Sequence, residues 1–214
     1  MSKKIKALQQ VLDSGIVAVI RADDGQQLLQ VARALLAGGV RVMEVTFTVP
    51  RADKVIAEVA DALGDQILLG AGTVLDAETA RAAILAGAEF IVSPIVSPEV
   101  IQLCQRYDKA VMPGALTPTE VVQAWELGAD IVKVFPADAM GPGYLKALHG
   151  PLPQVLLMPT GGVGLDNAAA YRAAGACALG VGSTLVSNQE VREQQFERIE
   201  AKARAFAELW AAGK

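Results

Sequence analysis

The sequence predicts an α/β protein: a (β/α)8 TIM barrel with an extra N-terminal helix, filling residues 1–214 as one domain. Three observations lead there. Eight short apolar runs are spread along the chain, at 16–20, 41–47, 67–69, 90–92, 110–112, 131–135, 155–158 and 178–181. Most are continuous rather than alternating, as strands buried on both faces of a parallel sheet read. Their starts lie 20 to 26 residues apart, room for a helix and two short loops each time. The segments between them carry the helical period, and four end in a similar glycine-bearing stop.

Residues 2–14 precede the first run and form the extra helix. After it, Leu28, Val31, Ala32 and Leu35 make one apolar helical stripe, and Val55, Ile56, Val59 and Leu63 another. Ser97-Pro98-Glu99 sets a cap residue before a proline at the first helical position. Thr117-Pro118-Thr119-Glu120 reads as a capping box, with Val121, Val122 and Trp125 as the stripe behind it. The stops are Gly38-Gly39, Gly87, Gly128 and Gly175, each able to take the left-handed conformation that ends a helix. A long helix over about 191–211 closes the chain. An open doubly wound sheet would want a glycine-rich turn after the first strand. Here that position is Arg21-Ala22-Asp23-Asp24, so the barrel is preferred.

Composition narrows the function. The 214 residues (22.3 kDa) are 52% hydrophobic and 20% charged, enough apolar surface for a large core. A net charge of −4 with no basic patch argues against a nucleic-acid partner. No apolar stretch is long enough to span a bilayer, and the basic start Lys3-Lys4-Ile5-Lys6 has no signal-peptide core behind it. The expected setting is therefore cytoplasmic and not membrane-bound. Two distant cysteines, Cys104 and Cys177, suit a reducing compartment. His149 is the single histidine, which excludes a histidine-rich metal site; its place beside Gly150-Pro151 reads as surface.

In a barrel the C-terminal strand ends face the active site. Those positions hold Arg21, Glu44 with Thr46 and Thr48, Gly70-Ala71-Gly72-Thr73, Ser93-Pro94, Pro113-Gly114, Lys133 with Phe135, Thr160-Gly161-Gly162, and Gly182-Ser183. Lys133 and Glu44 stand out because each lies inside a run that should be buried. An ammonium held there is desolvated, its pKa falls, and a neutral amine attacks carbonyls. A structural ion pair is the plainer reading of either residue alone. Found together at one layer of a barrel mouth, they favour chemistry. The glycine-rich turns after the seventh and eighth strands stand where barrels often hold a phosphate on backbone N–H groups. Gly70-Ala71-Gly72-Thr73 reads as a third such turn.

These motifs also carry a family resemblance. Glu44-Val45-Thr46-Phe47-Thr48, Gly70-Ala71-Gly72-Thr73-Val74, Lys133-Val134-Phe135-Pro136-Ala137, Pro159-Thr160-Gly161-Gly162-Val163 and Gly182-Ser183 closely resemble the class I 2-keto-3-deoxy-6-phosphogluconate (KDPG) aldolases. Some of those also act on 4-hydroxy-2-oxoglutarate. The resemblance runs from about Gly15 to Val186. It implies a cytoplasmic homotrimer of the Entner–Doudoroff route that cleaves a phosphorylated 2-keto acid, a carbon–carbon lyase with no cofactor and no metal. It implies that Lys133 forms the Schiff base and that Glu44 is the general base. Thr73 would bind the pyruvyl carboxylate, with Pro94 beside it, and Phe135 would shape the Schiff-base pocket. Gly161, Gly162, Gly182 and Ser183 would hold the phosphate.

The sequence departs from the family pattern at one point. Many members have Glu-Val-Thr-Leu-Arg-Thr, whereas this chain has no arginine there until Arg51. Arg21 at the first strand end is inferred to supply the missing cation to a substrate anion. Thr160 favours the gluconate substrate, because relatives acting on the galactonate epimer tend to carry valine there; the galactonate aldolase is the alternative. A phosphosugar isomerase would use the same phosphate loops but gives no reason for Lys133. A non-catalytic assembly scaffold gives none for keeping Lys133 and Glu44 together.

Overall fold

A computed structural model describes residues 2–21 and 25–213. Its strands are β1 (Ile16–Ile20), β2 (Val42–Thr46), β3 (Leu68–Gly72), β4 (Phe90–Val92), β5 (Ala110–Met112), β6 (Gly114–Ala115), β7 (Val132–Val134), β8 (Leu157–Pro159) and β9 (Leu179–Val181). Helices α1 (Lys3–Ser14), α2 (Gly25–Ala37), α3 (Ala52–Leu63), α4 (Ala77–Leu85) and α5 (Pro98–Arg106) accompany the first half. The second half adds α6 (Pro118–Glu126), α7 (Gly141–His149), α8 (Ala168–Ala173), α9 (Asn188–Arg192) and α10 (Phe196–Ala212).

The strands pair in parallel and in chain order, the pattern that right-handed β-α-β crossovers produce. One set runs β5-β4-β3-β2-β1-β9 and the other β6-β7-β8. Two joins close the ring. The chain passes directly from β5 through Pro113 into β6, and bridges Leu157↔Ala176 and Thr160↔Gly180 tie β8 to β9. The result is the (β/α)8 barrel, with β5 and β6 as two parts of its fifth strand. The sequence reading ended that strand at Met112. Proline has no N–H to donate, so regular pairing breaks at Pro113, yet its carbonyl still accepts from Lys133 N at 2.9 Å.

Period-two alternation sorts each strand into an inner and an outer face. The inward set includes Val17, Val42, Leu68, Phe90, Met112, Ile131 and Met158, and Ala7 and Val11 of α1 pack onto it. This is the work of the extra helix: it closes the N-terminal mouth with apolar side chains. The outward set, with Ala18, Met43, Ile91 and Val132 among its members, packs under the surrounding helices. Burying each large side chain contributes about 1.5–3 kcal/mol relative to exposure.

Local signals behave as read. Thr117 and Glu120 form the reciprocal capping box of α6, and Ser97 Oγ accepts from Val100 N at 3.3 Å to start α5. Gly39, Gly87, Gly128 and Gly175 have φ of 90°, 111°, 98° and 99°, so the helix stops are conformational. Two readings need correction. The closing helix expected from about residue 191 is divided into α9 and α10, because Gln194 turns left-handed (φ 54°) between them. The Gly70-Ala71-Gly72 segment is strand rather than turn, and its glycines serve space. A Cβ at Gly70 would lie 2.4 Å from the Phe90 ring, and one at Gly72 2.5 Å from Glu44 Oε1. No helix among the described residues is long and apolar enough to cross a membrane.

Candidate active site

The C-terminal mouth opposite α1 holds a cavity of about 300 Å³. Its wall gathers residues from seven of the eight strand ends. Arg21 follows β1, Glu44 and Thr48 come from β2 and its loop, and Thr73 follows β3. Pro94 follows β4, and Lys133 and Phe135 come from β7. Thr160, Gly161 and Gly162 follow β8, and Gly182 and Ser183 follow β9. The eleven residues given a catalytic or binding role from the sequence therefore meet in one place, with Thr48 beside them, whereas Thr46, Ser93, Pro113 and Gly114 are not on the wall.

Register explains the central pair. Glu44 pairs with Val19 on one side and Gly70 on the other, and Lys133 with Gly114 and Met158, so both side chains point inward. They are 1% and 5% exposed. Burial pushes the Glu44 carboxyl above its ordinary range, opposed by the charges of Lys133 and Arg21. Burial likewise holds the Lys133 ammonium below its ordinary range; Glu44 works against that shift and Arg21 adds to it. The plainer sequence reading, a structural ion pair, is not what forms. Glu44 Oε1 is buried without a hydrogen-bond partner, and no salt bridge of 4.0 Å or less joins the two among the described residues. An unpartnered buried carboxylate oxygen is costly, and it is available to take a proton. The Lys133 Nζ sits 4.9 Å from the centre of the Phe135 ring, whose π face favours the ammonium.

Around this pair the wall is polar on one side. Thr73 has φ 57°, an outlier conformation for a β-branched residue, and such strain concentrates at functional positions. Thr48 was read only as a strand-end residue. Its hydroxyl lies 2.7 Å from that of Thr46, which is fully buried and thereby steadies it. Arg21 is exposed at the end of β1 on the cavity wall and makes no ion pair among the described residues. Residues 22–24, beyond it, lie outside the described residues. Thr160 Oγ1 is buried, has no hydrogen-bond partner and packs over Gly180, where a Cβ would approach it to within 2.1 Å.

The other side is a cradle of backbone. Gly161 and Gly162 have φ of 98° and 64°, and a Cβ on Gly162 would strike the Asp138 side chain at 2.3 Å. Asp138 thus packs directly against this loop. The N–H groups of Gly162, Val163, Ser183 and Thr184 have no acceptor among the described residues, and all four residues line the cavity. Free backbone N–H groups clustered at one cavity can serve as an anion site. Val163 and Thr184 were given no role from the sequence: they contribute free backbone N–H groups, which side-chain chemistry does not report, and Val19 joins the wall from β1. No group of three or more metal-ligating side chains occurs among the described residues.

A sequence profile of the KDPG and KHG aldolase family matches residues 8–202. The chain belongs to that family. A 2-dehydro-3-deoxy-phosphogluconate aldolase of Treponema pallidum is 39% identical over 197 residues, 92% of each chain. A 2-dehydro-3-deoxy-6-phosphogalactonate aldolase of Escherichia coli is 34% identical over 194 residues, 90% of this chain and 95% of that one. The KDPG aldolase of Legionella pneumophila, solved with pyruvate captured at low pH as a covalent carbinolamine, superimposes with a TM-score of 0.85. It is 30% identical, covering 94% of this chain and 97% of that one. Family membership makes the protein an aldolase, a carbon–carbon lyase.

Proposed function

We propose that the protein is a class I aldolase that cleaves 2-dehydro-3-deoxy-6-phosphogluconate to pyruvate and glyceraldehyde 3-phosphate. The observation that carries the reading is the buried Lys133, its pKa lowered, facing an unpartnered Glu44 beside an anion cradle. Lowering the pKa enlarges the neutral fraction of the amine, whose lone pair attacks the C2 carbonyl to give a carbinolamine. Loss of water leaves an iminium. Glu44 takes the proton of the C4 hydroxyl, the C3–C4 bond breaks, and its electron pair moves to the nitrogen as an enamine. The aldehyde leaves, C3 is protonated, and water releases pyruvate from Lys133. Thr73 and Arg21 would hold the carboxylate end. Gly161, Gly162, Gly182 and Ser183 would hold the phosphate. Pro94 and Phe135 shape the pocket between them.

The same steps split 4-hydroxy-2-oxoglutarate into pyruvate and glyoxylate, as the family's name suggests for some members. The Escherichia coli relative supports the galactonate epimer as a second reading. Thr160 favours the gluconate: its hydroxyl is buried over Gly180 without a partner, so turning toward the cavity to meet a substrate hydroxyl of the right configuration would give it its first. Steady-state kinetics on both epimers test this, and kcat/KM is expected to be at least about tenfold higher for the gluconate. Equal values, or the reverse order, would move the galactonate reading ahead.

We further propose a cytoplasmic homotrimer serving the Entner–Doudoroff route, with residues 1–214 as one domain. Free thiols at Cys104 and Cys177 support the reducing compartment. Leu75 and Ile95, about half exposed on the consecutive loops after β3 and β4, offer apolar surface for association. Sedimentation equilibrium should return about three times the 22.3 kDa chain mass; a monomer mass would remove the trimer.

A further inference from the structure

Two side chains hold the anion cradle in shape, and neither has a role in the reaction above. We propose that Thr184 and Asn167 are positioning residues that set the preference for a phosphorylated over an unphosphorylated aldehyde portion. The inference rests on the reading of the cradle as the phosphate site.

Thr184 Oγ1 donates to Val163 O at 2.5 Å, joining the loop after β9 to the loop after β8. Asn167 grips the second loop from its other side: Nδ2 donates to Gly162 O at 2.8 Å and Oδ1 accepts from Gly164 N at 2.9 Å. The carbonyls of Gly162 and Val163 are thus each held by a side chain. A peptide unit is planar, with its C=O and N–H directed oppositely. Tying the Gly162 carbonyl therefore fixes the aim of the Val163 N–H, one of the four N–H groups of cavity-lining residues that have no acceptor among the described residues.

Glycine makes the clamp necessary. Gly161 and Gly162 both have positive φ, which glycine reaches without strain but leaves as readily. A phosphate rewards several donors only when they are aimed at one point together, so the two loops must be held in register. The pyruvyl end of the substrate reacts at Lys133, outside these two loops. Loosening the clamp should then weaken binding of the phosphorylated end in particular.

The test runs the reaction in the condensation direction, joining pyruvate to glyceraldehyde 3-phosphate or to glyceraldehyde. Thr184→Val keeps the side-chain shape and removes the donor; Thr184→Ser keeps the donor. The ratio of kcat/KM for the phosphorylated over the unphosphorylated aldehyde should fall about tenfold in Thr184→Val. The change should lie in KM for glyceraldehyde 3-phosphate rather than in kcat, and Thr184→Ser should restore the ratio. Inhibition by inorganic phosphate should weaken in parallel. Asn167→Ala should shift the same ratio, which keeps the test open if Thr184→Val folds poorly. An unmoved ratio in both variants, or an equal loss with both aldehydes, would overturn the inference. Failure of the aldolase reading looks different: the wild-type protein itself would form no borohydride-stable adduct with pyruvate, and the clamp's role would fall with it.

Discussion

Borohydride reduction of the wild-type protein in the presence of pyruvate should add mass to the peptide carrying Lys133, and Lys133→Met should abolish both adduct and turnover. Removal of a covalent nucleophile leaves no route to the iminium, so kcat is expected to fall by about 10⁴ or more. The same substitution should not harm the fold. Lys133 has its pKa lowered in the folded state, so the unfolded chain binds more protons between that value and the ordinary 10.5. Stability contributed at this site therefore rises with pH through that window, and below 10.5 burial of this side chain is a cost. Glu44 is raised above 4.5, so stability falls as pH rises from 4.5 through its folded value. Each charge partly compensates the other, which makes the pair the informative variant. Lys133→Met/Glu44→Gln should melt a few degrees above wild type, since replacing buried charges with neutral groups of similar size gains about 1–4 kcal/mol. An inactive but less stable double variant would mean that the pair holds the barrel together rather than serving catalysis.

Glu44→Gln should separate imine chemistry from bond cleavage. Loss of a positioned general base costs about 10²–10⁴ in kcat, while pyruvate should still be trapped on Lys133, more slowly. Two pH limbs distinguish its roles. In the wild type, kcat/KM should fall toward acid with a midpoint above 4.5, because Glu44 must be ionised to accept the proton and burial raises its pKa. In Glu44→Gln that step disappears. Lys133 also loses the carboxylate that was raising its pKa, so the pH dependence of pyruvate trapping should move to lower pH. A limb that stays in place or moves upward would show that the two groups are not coupled.

Much of this site was legible because barrel topology converts chain order into position. Once eight apolar runs and their caps are recognised, each strand end is assigned to the mouth. A charged residue inside such a run, as at Lys133 and Glu44, is then conspicuous. Thr160 and Arg21 were found the same way. What escaped was chemistry carried by backbone. Val163 and Thr184 offer N–H groups, and nothing in a valine or threonine side chain announces that role. The glycines of β3 were misread for a related reason. A missing side chain can mean a turn or a close neighbour, and only the positions of Phe90 and Glu44 distinguish them.

The sequence by itself determined the order of the elements and most helix starts and stops, since periodicity, caps and stops are local properties of a few neighbouring residues. It also placed an amine, a carboxylate and glycine-rich loops at one end of the barrel. Only the tertiary structure decided that Lys133 and Glu44 face one another without a direct ion pair. It alone decided that the fifth strand continues past Pro113, and that Thr184 and Asn167 grip the phosphate-side loop. These depend on register and on contacts between distant segments. Their energies come from burial and geometry that no short stretch of chain contains.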